Sequence, residues 1–128
     1  MKRKTFLMGA SLIALAVGTF ALIFPDVLLE SKGVAANGAA NVWVREVGVL
    51  LIAVGIIAFL VRNHEDSSTL KAFFIGNIVL QLGLIPIEPI AYVNGIITKL
   101  SGIMPNTILH ALLAGGFAYY MARMKTHE

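Results

Sequence analysis

Apolar residues gather into four long blocks along this chain, at 6–24, 42–61, 70–90 and 104–124, with short polar connectors between them. A helix rising about 1.5 Å per residue needs about 20 residues to cross about 30 Å of hydrocarbon, and each block is that long. The blocks lack the alternating polarity of barrel strands, and lipid offers no partner for open backbone groups, so the pattern predicts helices. The first two blocks carry no charge except Arg45 and Glu46 near one end. The third holds Asn77, Gln81 and Glu88, and the fourth holds Asn106 and His110. The expected fold is all-α: one integral membrane domain over 1–128, built as a four-helix transmembrane bundle.

Composition agrees with that pattern. Of the 128 residues, 58% are hydrophobic and 13% charged, with a mean hydropathy of +0.84. Soluble domains carry about 25% charged residues. The absence of cysteine excludes disulfide frameworks, thiol catalysis, Cys-ligated zinc and iron–sulfur centres. A net charge of +3 could suggest nucleic acid, but the basic residues sit at block edges and form no stripe with aromatics between them. No nucleic-acid partner is expected.

Those edges orient the chain. With four spans, one side receives Lys2, Arg3, Lys4, Arg62, Lys71, Arg123 and Lys125, and the other only Lys32, Arg45 and Lys99. The positive-inside rule then puts both termini in the cytoplasm of a bacterial-type inner membrane. The basic start before an apolar run also resembles a secretory signal, but the run is longer than an h-region and lacks a nearby small-x-small site. We read it as a retained span. Trp43, Tyr92, Tyr119 and Tyr120 fall near span ends, as interface anchors do.

The connectors carry weaker signals. Asp26 is placed to cap a helical turn after Pro25, with Gly33 to end it, and 35–41 reads as a small, flexible loop. After Asn94-Gly95, the residues Ile96, Ile97, Leu100 and Ile103 continue a helical spacing begun at Val93, predicting a short interfacial helix. The turn at 64–69 is read as solvated, with Ser68 or Thr69 capping the next helix. Gly48 and Gly55 on the second span, and Gly76 and Gly83 on the third, are seven apart. Each pair would give a smooth stripe for close helix packing, with Gly9 and Gly18 contributing less. Pro86 and Pro89 either kink the third span near Glu88 or end it.

Asn77, Gln81 and Glu88 share one helical face, and Asn106 and His110 are one turn apart. With the expected orientation, Arg45, Glu46, Glu88, Asn106 and His110 lie in the outer half of the bilayer, with Gln81 near the middle. A charge at the bilayer centre costs about 2.5–3.5 kcal/mol on insertion scales, so pairing is favoured. Arg45 is expected to contact Glu88 through its planar fork, with Glu46 competing or facing water, and His110 to bond a carboxylate or Gln81. Such a cluster suits a static clamp between helices, a ligand site, or incidental interfacial polarity.

Sharper chemistries do not fit. A bis-His haem needs two embedded histidines, whereas His64 lies in a loop and His127 in the tail. A hard metal would want converging carboxylates and would be opposed by Arg45. No Ser–His–Asp arrangement and no phosphate-binding glycine loop is legible.

The order of features resembles the DoxX-like superfamily of small four-helix membrane proteins. The shared features are Phe24-Pro25 closing the first span, Asn41-Val42-Trp43-Val44-Arg45-Glu46-Val47-Gly48 leading a Gly-spaced second span, and Tyr92-Val93-Asn94-Gly95 between the last two. The resemblance extends over nearly the whole chain, and Arg45 with Gly48 is its most specific part. It implies the bundle topology and a redox-membrane neighbourhood, since the namesake is associated with quinone-linked sulfur oxidation as a membrane subunit. The chain departs from similar proteins by having His110 where an acidic residue often stands in the last span.

The leading expectation is a non-catalytic membrane bundle. It would bind a lipophilic molecule (a quinone or a lipid) or serve as accessory subunit to a membrane protein partner or a homo-oligomer. A small proton- or solute-coupled transporter using Glu88, His110 and Gln81 comes second. An enzyme with His110 and Glu88 as acid and base comes third, because no nucleophile or cofactor motif accompanies them. No cofactor is required, though a quinone would suit.

Overall fold

Asn37 and Ser67 each stand in extended backbone just before a long helix, and each side chain accepts a bond from a first-turn N–H: Ala40 N at 2.9 Å and Leu70 N at 3.2 Å. These bonds satisfy donors that a helix start leaves open. In the computed structural model, which describes residues 1–125, six α-helices and one 3-10 turn succeed one another, with no strand among the described residues. They are α1 (Arg3–Ile23), α2 (Pro25–Ser31), α3 (Gly38–Val61), α4 (Ser68–Leu84), α5 (Ile87–Val93), the turn Leu100–Gly102, and α6 (Met104–Ala122). Three stretches are long and apolar enough to cross a membrane: Arg3–Ile23, Gly38–Val61 and Ser68–Val93. The last of these includes the break between α4 and α5. α6 is a continuous helix of 19 residues, and Pro105, Asn106 and His110 interrupt its apolar run in the first half.

The chain divides into two compact units, Met1–Arg62 and Asn63–Glu128. In the first, α1 and α3 form an antiparallel hairpin in backbone contact. A Cβ added to Gly18 would lie 2.7 Å from the Gly48 carbonyl oxygen, and one added to Gly48 would lie 2.7 Å from that of Gly18. The Gly48 and Gly55 stripe thus does what its spacing predicts, and Gly18 is its equal partner rather than a lesser contributor. Ser11 completes the seam: it is fully buried, and its hydroxyl donates to the Gly55 carbonyl oxygen at 2.7 Å. Gly76 and Gly83 differ, because a Cβ at either would meet nothing within 4 Å. The same spacing on α4 therefore makes no close approach.

In the second unit α4 pairs with α6, also antiparallel. Phe74 and Phe117 are buried with ring centroids 5.7 Å apart, and Phe73 lies edge-on to Phe117 at 6.1 Å. Edge-to-face rings add about 0.5–1.5 kcal/mol beyond their buried area. Leu70 and Ala114 are also buried.

Four local expectations are corrected. Residues 38–41 are the first turn of α3 rather than loop, because Asn37 caps it. Asp26 does not cap α2; Pro25 opens that helix, and Asp26 Oδ1 instead accepts from Asn41 Nδ2 at 2.7 Å. The cap of α4 is Ser67, one residue before the two expected. The interfacial helix after Asn94-Gly95 is absent. The helical segment there is α5, which precedes Gly95, and Gly95 ends it with φ 73°. Gly95 N bonds Tyr92 O at 3.0 Å and Ile96 N bonds Ala91 O at 2.9 Å, the paired bonds of a Schellman stop. Gly33 closes α2 in the same way, as expected, with φ 71° and bonds from Gly33 N to Glu30 O and Val34 N to Leu29 O. Past Gly95 the chain is irregular, and Ile97 and Ile103 turn inward and are buried.

Candidate functional site

The seven polar candidates fall in two groups. Arg45 and Glu46 belong to the first unit, near the start of α3, and both are exposed. Asn77, Gln81, Glu88, Asn106 and His110 belong to the second.

Within the second unit the α4–α6 pairing brings two of these side chains, Gln81 and His110, into hydrogen-bond contact. Gln81 is 7% exposed, and its Oε1 lies 2.5 Å from His110 Nδ1. An amide oxygen can only accept, so Nδ1 carries the proton and donates. In the neutral ring the lone pair then sits on Nε2. That assignment comes from the partner, since a histidine's tautomer is set by what its other nitrogen bonds. The bond joins residues 29 apart in sequence. Gln81 is three residues short of the end of α4, and His110 is six past the start of α6. Antiparallel packing brings those two ends together.

Asn77 lies one turn earlier on the same face of α4 and is 6% exposed. Its Nδ2 donates to the Phe73 carbonyl oxygen at 3.0 Å, four residues back along its own helix. This side chain is satisfied locally, as a buried amide with an i−4 carbonyl in reach can be. Of the face predicted from Asn77, Gln81 and Glu88, the first two are buried on α4 as expected.

Glu88 is not on that helix. α4 stops at Leu84, residues 85–86 form a turn, and Glu88 is in the first turn of α5, half-buried. The structure lies between the two readings of Pro86 and Pro89, a kink or an end, with α4 ending at Leu84 and a separate helix resuming at Ile87. Pro86 has no N–H to continue the ladder of α4, whereas its carbonyl accepts from Ile90 N at 3.0 Å and starts α5. Asn106 is half-buried, one turn before His110 on α6.

The seam thus presents an imidazole, one buried primary amide engaged with it, and neighbouring amides, set between apolar helices. It can donate and accept hydrogen bonds with neutral groups. Among the described residues no group of three or more His, Asp or Glu side chains is placed to hold a metal ion. His127 lies outside the described residues.

Ser11 was not singled out by its chemistry. Its signal was its position, seven residues before Gly18, which mirrors Gly48 and Gly55 on the opposite helix. Two small-residue pairs of equal spacing on consecutive apolar blocks mark a hairpin seam better than either pair alone.

A family model described as Domain of unknown function (DUF8292) matches residues 1–122. No curated protein and no solved structure matches the chain.

Proposed function

We propose that this chain, which belongs to the DUF8292 family, a domain of unknown function, is a non-catalytic integral membrane protein that holds a lipophilic molecule by its polar head. It crosses a bacterial-type inner membrane four times with both termini inside. α6 is then the fourth span: its 19 residues extend about 28 Å, close to the hydrocarbon thickness, and its His110 is bonded to Gln81 of α4. The asymmetry of Lys and Arg between the two sides supports the orientation.

One observation carries the functional reading: the His110–Gln81 hydrogen bond inside a largely apolar helix pair. Buried polar groups in a bilayer tend to mark function, and a mostly apolar site with a few placed polar groups suits a quinone or lipid head. Such heads offer carbonyl or hydroxyl groups that an imidazole and amides recognise without net charge. The resemblance to DoxX-like proteins favours a quinone.

The test places a photo-crosslinking residue at position 107, one turn before His110 on α6, in native membranes, so that His110 and Gln81 both stay in place. A lipid or quinone adduct, lost when Gln81 is replaced by Leu, supports the reading. Protein adducts alone would make the chain an accessory subunit, and the absence of any adduct counts against both. Proton or solute flux in proteoliposomes that disappears with Glu88→Gln would replace the reading with a transporter. Because the chain has no cysteine, single cysteines introduced at connectors and termini report each loop's side directly.

A further inference from the structure

At the end of the α4–α6 pair opposite His110, the second unit contains a cavity of about 450 Å³. That lies within the ~300–1,000 Å³ range of small-molecule clefts. One wall is the start of α4, with Ser67, Ser68 and Lys71. The other is the end of α6 and the residues after it, with Met121, Met124 and Lys125.

Its lining has two chemistries. Lys71 and Lys125 supply two ammonium groups, and among the described residues neither is ion-paired. The thioether side chains of Met121 and Met124 supply an apolar wall. Asp66 also borders the cavity, but its Oδ2 accepts from the backbone N–H of Lys125 at 2.8 Å, tying the end of α6 to the connector before α4. Two cations against one carboxylate leave the lining net positive, and the open N–H groups at the start of α4 add to that field.

We propose that this cavity seats the phosphate of an anionic phospholipid. The lysines face its oxygens, and Met121 and Met124 lie against the glycerol and upper acyl carbons. The inference rests on the orientation given above, which puts these helix ends at the cytoplasmic leaflet, where anionic lipids attract basic pockets between spans. A free phosphate would use the ammonium groups but leave the apolar wall without a partner. The occupant is therefore a lipid.

The purified full chain in detergent is offered phosphatidylglycerol and phosphatidylcholine of matched acyl chains, and retention is read by native mass spectrometry. Phosphatidylglycerol should be retained preferentially. Each of Lys71→Gln and Lys125→Gln should weaken its retention about fivefold, as expected for one basic group at an anionic surface, while Lys71→Arg keeps it. Equal retention of the two lipids, indifference to both variants, or displacement of phosphatidylglycerol by millimolar inorganic phosphate would overturn the assignment. A single cysteine at Ser68 in inside-facing and outside-facing vesicles separates the two failures. Labelling from the periplasmic face defeats the orientation, and cytoplasmic labelling without lipid preference defeats the site alone.

Discussion

Replacing Gly18 with Ala is the sharpest perturbation of the α1–α3 hairpin. The added Cβ would lie 2.7 Å from the Gly48 carbonyl oxygen and 2.9 Å from Ile52 N, both backbone atoms that no rotamer change can move. Reaching ordinary contact at 3.4 Å requires the helices to part by about 0.7 Å. Overpacking of this kind costs about 1–3 kcal/mol. The same movement stretches the 2.7 Å bond from Ser11 to Gly55 O, which as an interhelical bond contributes about 0.6 kcal/mol and at most about 1.7. Against these, Ala recovers about 0.8–1.0 kcal/mol of helix propensity. The net expectation is about 2 kcal/mol of destabilisation, roughly 30-fold in the unfolding equilibrium. Gly48→Ala should match it, because the approach is reciprocal. Gly55→Ala should cost somewhat less, since its nearest backbone atoms, Leu15 N and Ser11 O, stand at 3.1 Å rather than 2.7 Å, although Leu15 Cγ at 2.9 Å must also give way. Gly76→Ala and Gly83→Ala, with nothing within 4 Å, should be neutral or slightly stabilising. The assay is reversible unfolding in mixed detergent and SDS micelles, monitored by helical ellipticity and by the fluorescence of the single tryptophan, Trp43 on α3. Gly18→Ala tolerated as well as Gly76→Ala would refute the argument.

Three further outcomes can be measured in the same way. Ser11→Ala should lower stability by about 0.6–1.7 kcal/mol and leave the secondary structure unchanged. His110→Leu should cost about 1–3 kcal/mol because Gln81 stays buried with that bond lost, and Gln81→Leu should cost less because His110 is only half-buried; the double variant should cost less than the sum, and strict additivity would deny the bond. Gly95→Ala, forced into φ 73°, should lose about 1–2 kcal/mol, while Gly95→Asn should lose less because Asn tolerates that region; equal effects would show that the turn's geometry does not set the cost.

Much of the helical framework was legible because apolar block length alone decides which segments can cross a bilayer. The predicted and observed helices share their middles and differ at the ends, where a single cap governs. Asn37 started α3 four residues before the apolar run at Val42, and hydropathy carries no trace of that. The stretch after Gly95 misled for a related reason. Its isoleucines keep a helical spacing, but a positive φ at one glycine stops the helix whatever residues come next. Glycine spacing was informative for Gly48 and Gly55 and uninformative for Gly76 and Gly83, since identical stripes differ only in whether a helix lies against them.

The sequence by itself determined an all-helical chain, three of the four apolar blocks read as spans, and two of the three residues assigned to one inward face, Asn77 and Gln81 but not Glu88. These come from local quantities: run length, helical period and the cost of polarity in hydrocarbon. Only the tertiary structure decided which amide meets His110, that Asn77 satisfies itself on its own helix, and that Gly18 and Ser11 share the seam with Gly48 and Gly55. Those outcomes depend on the register of one helix against another. A hydrogen bond about 3 Å long is made or lost by a shift smaller than one residue's rise, and composition does not encode such a shift.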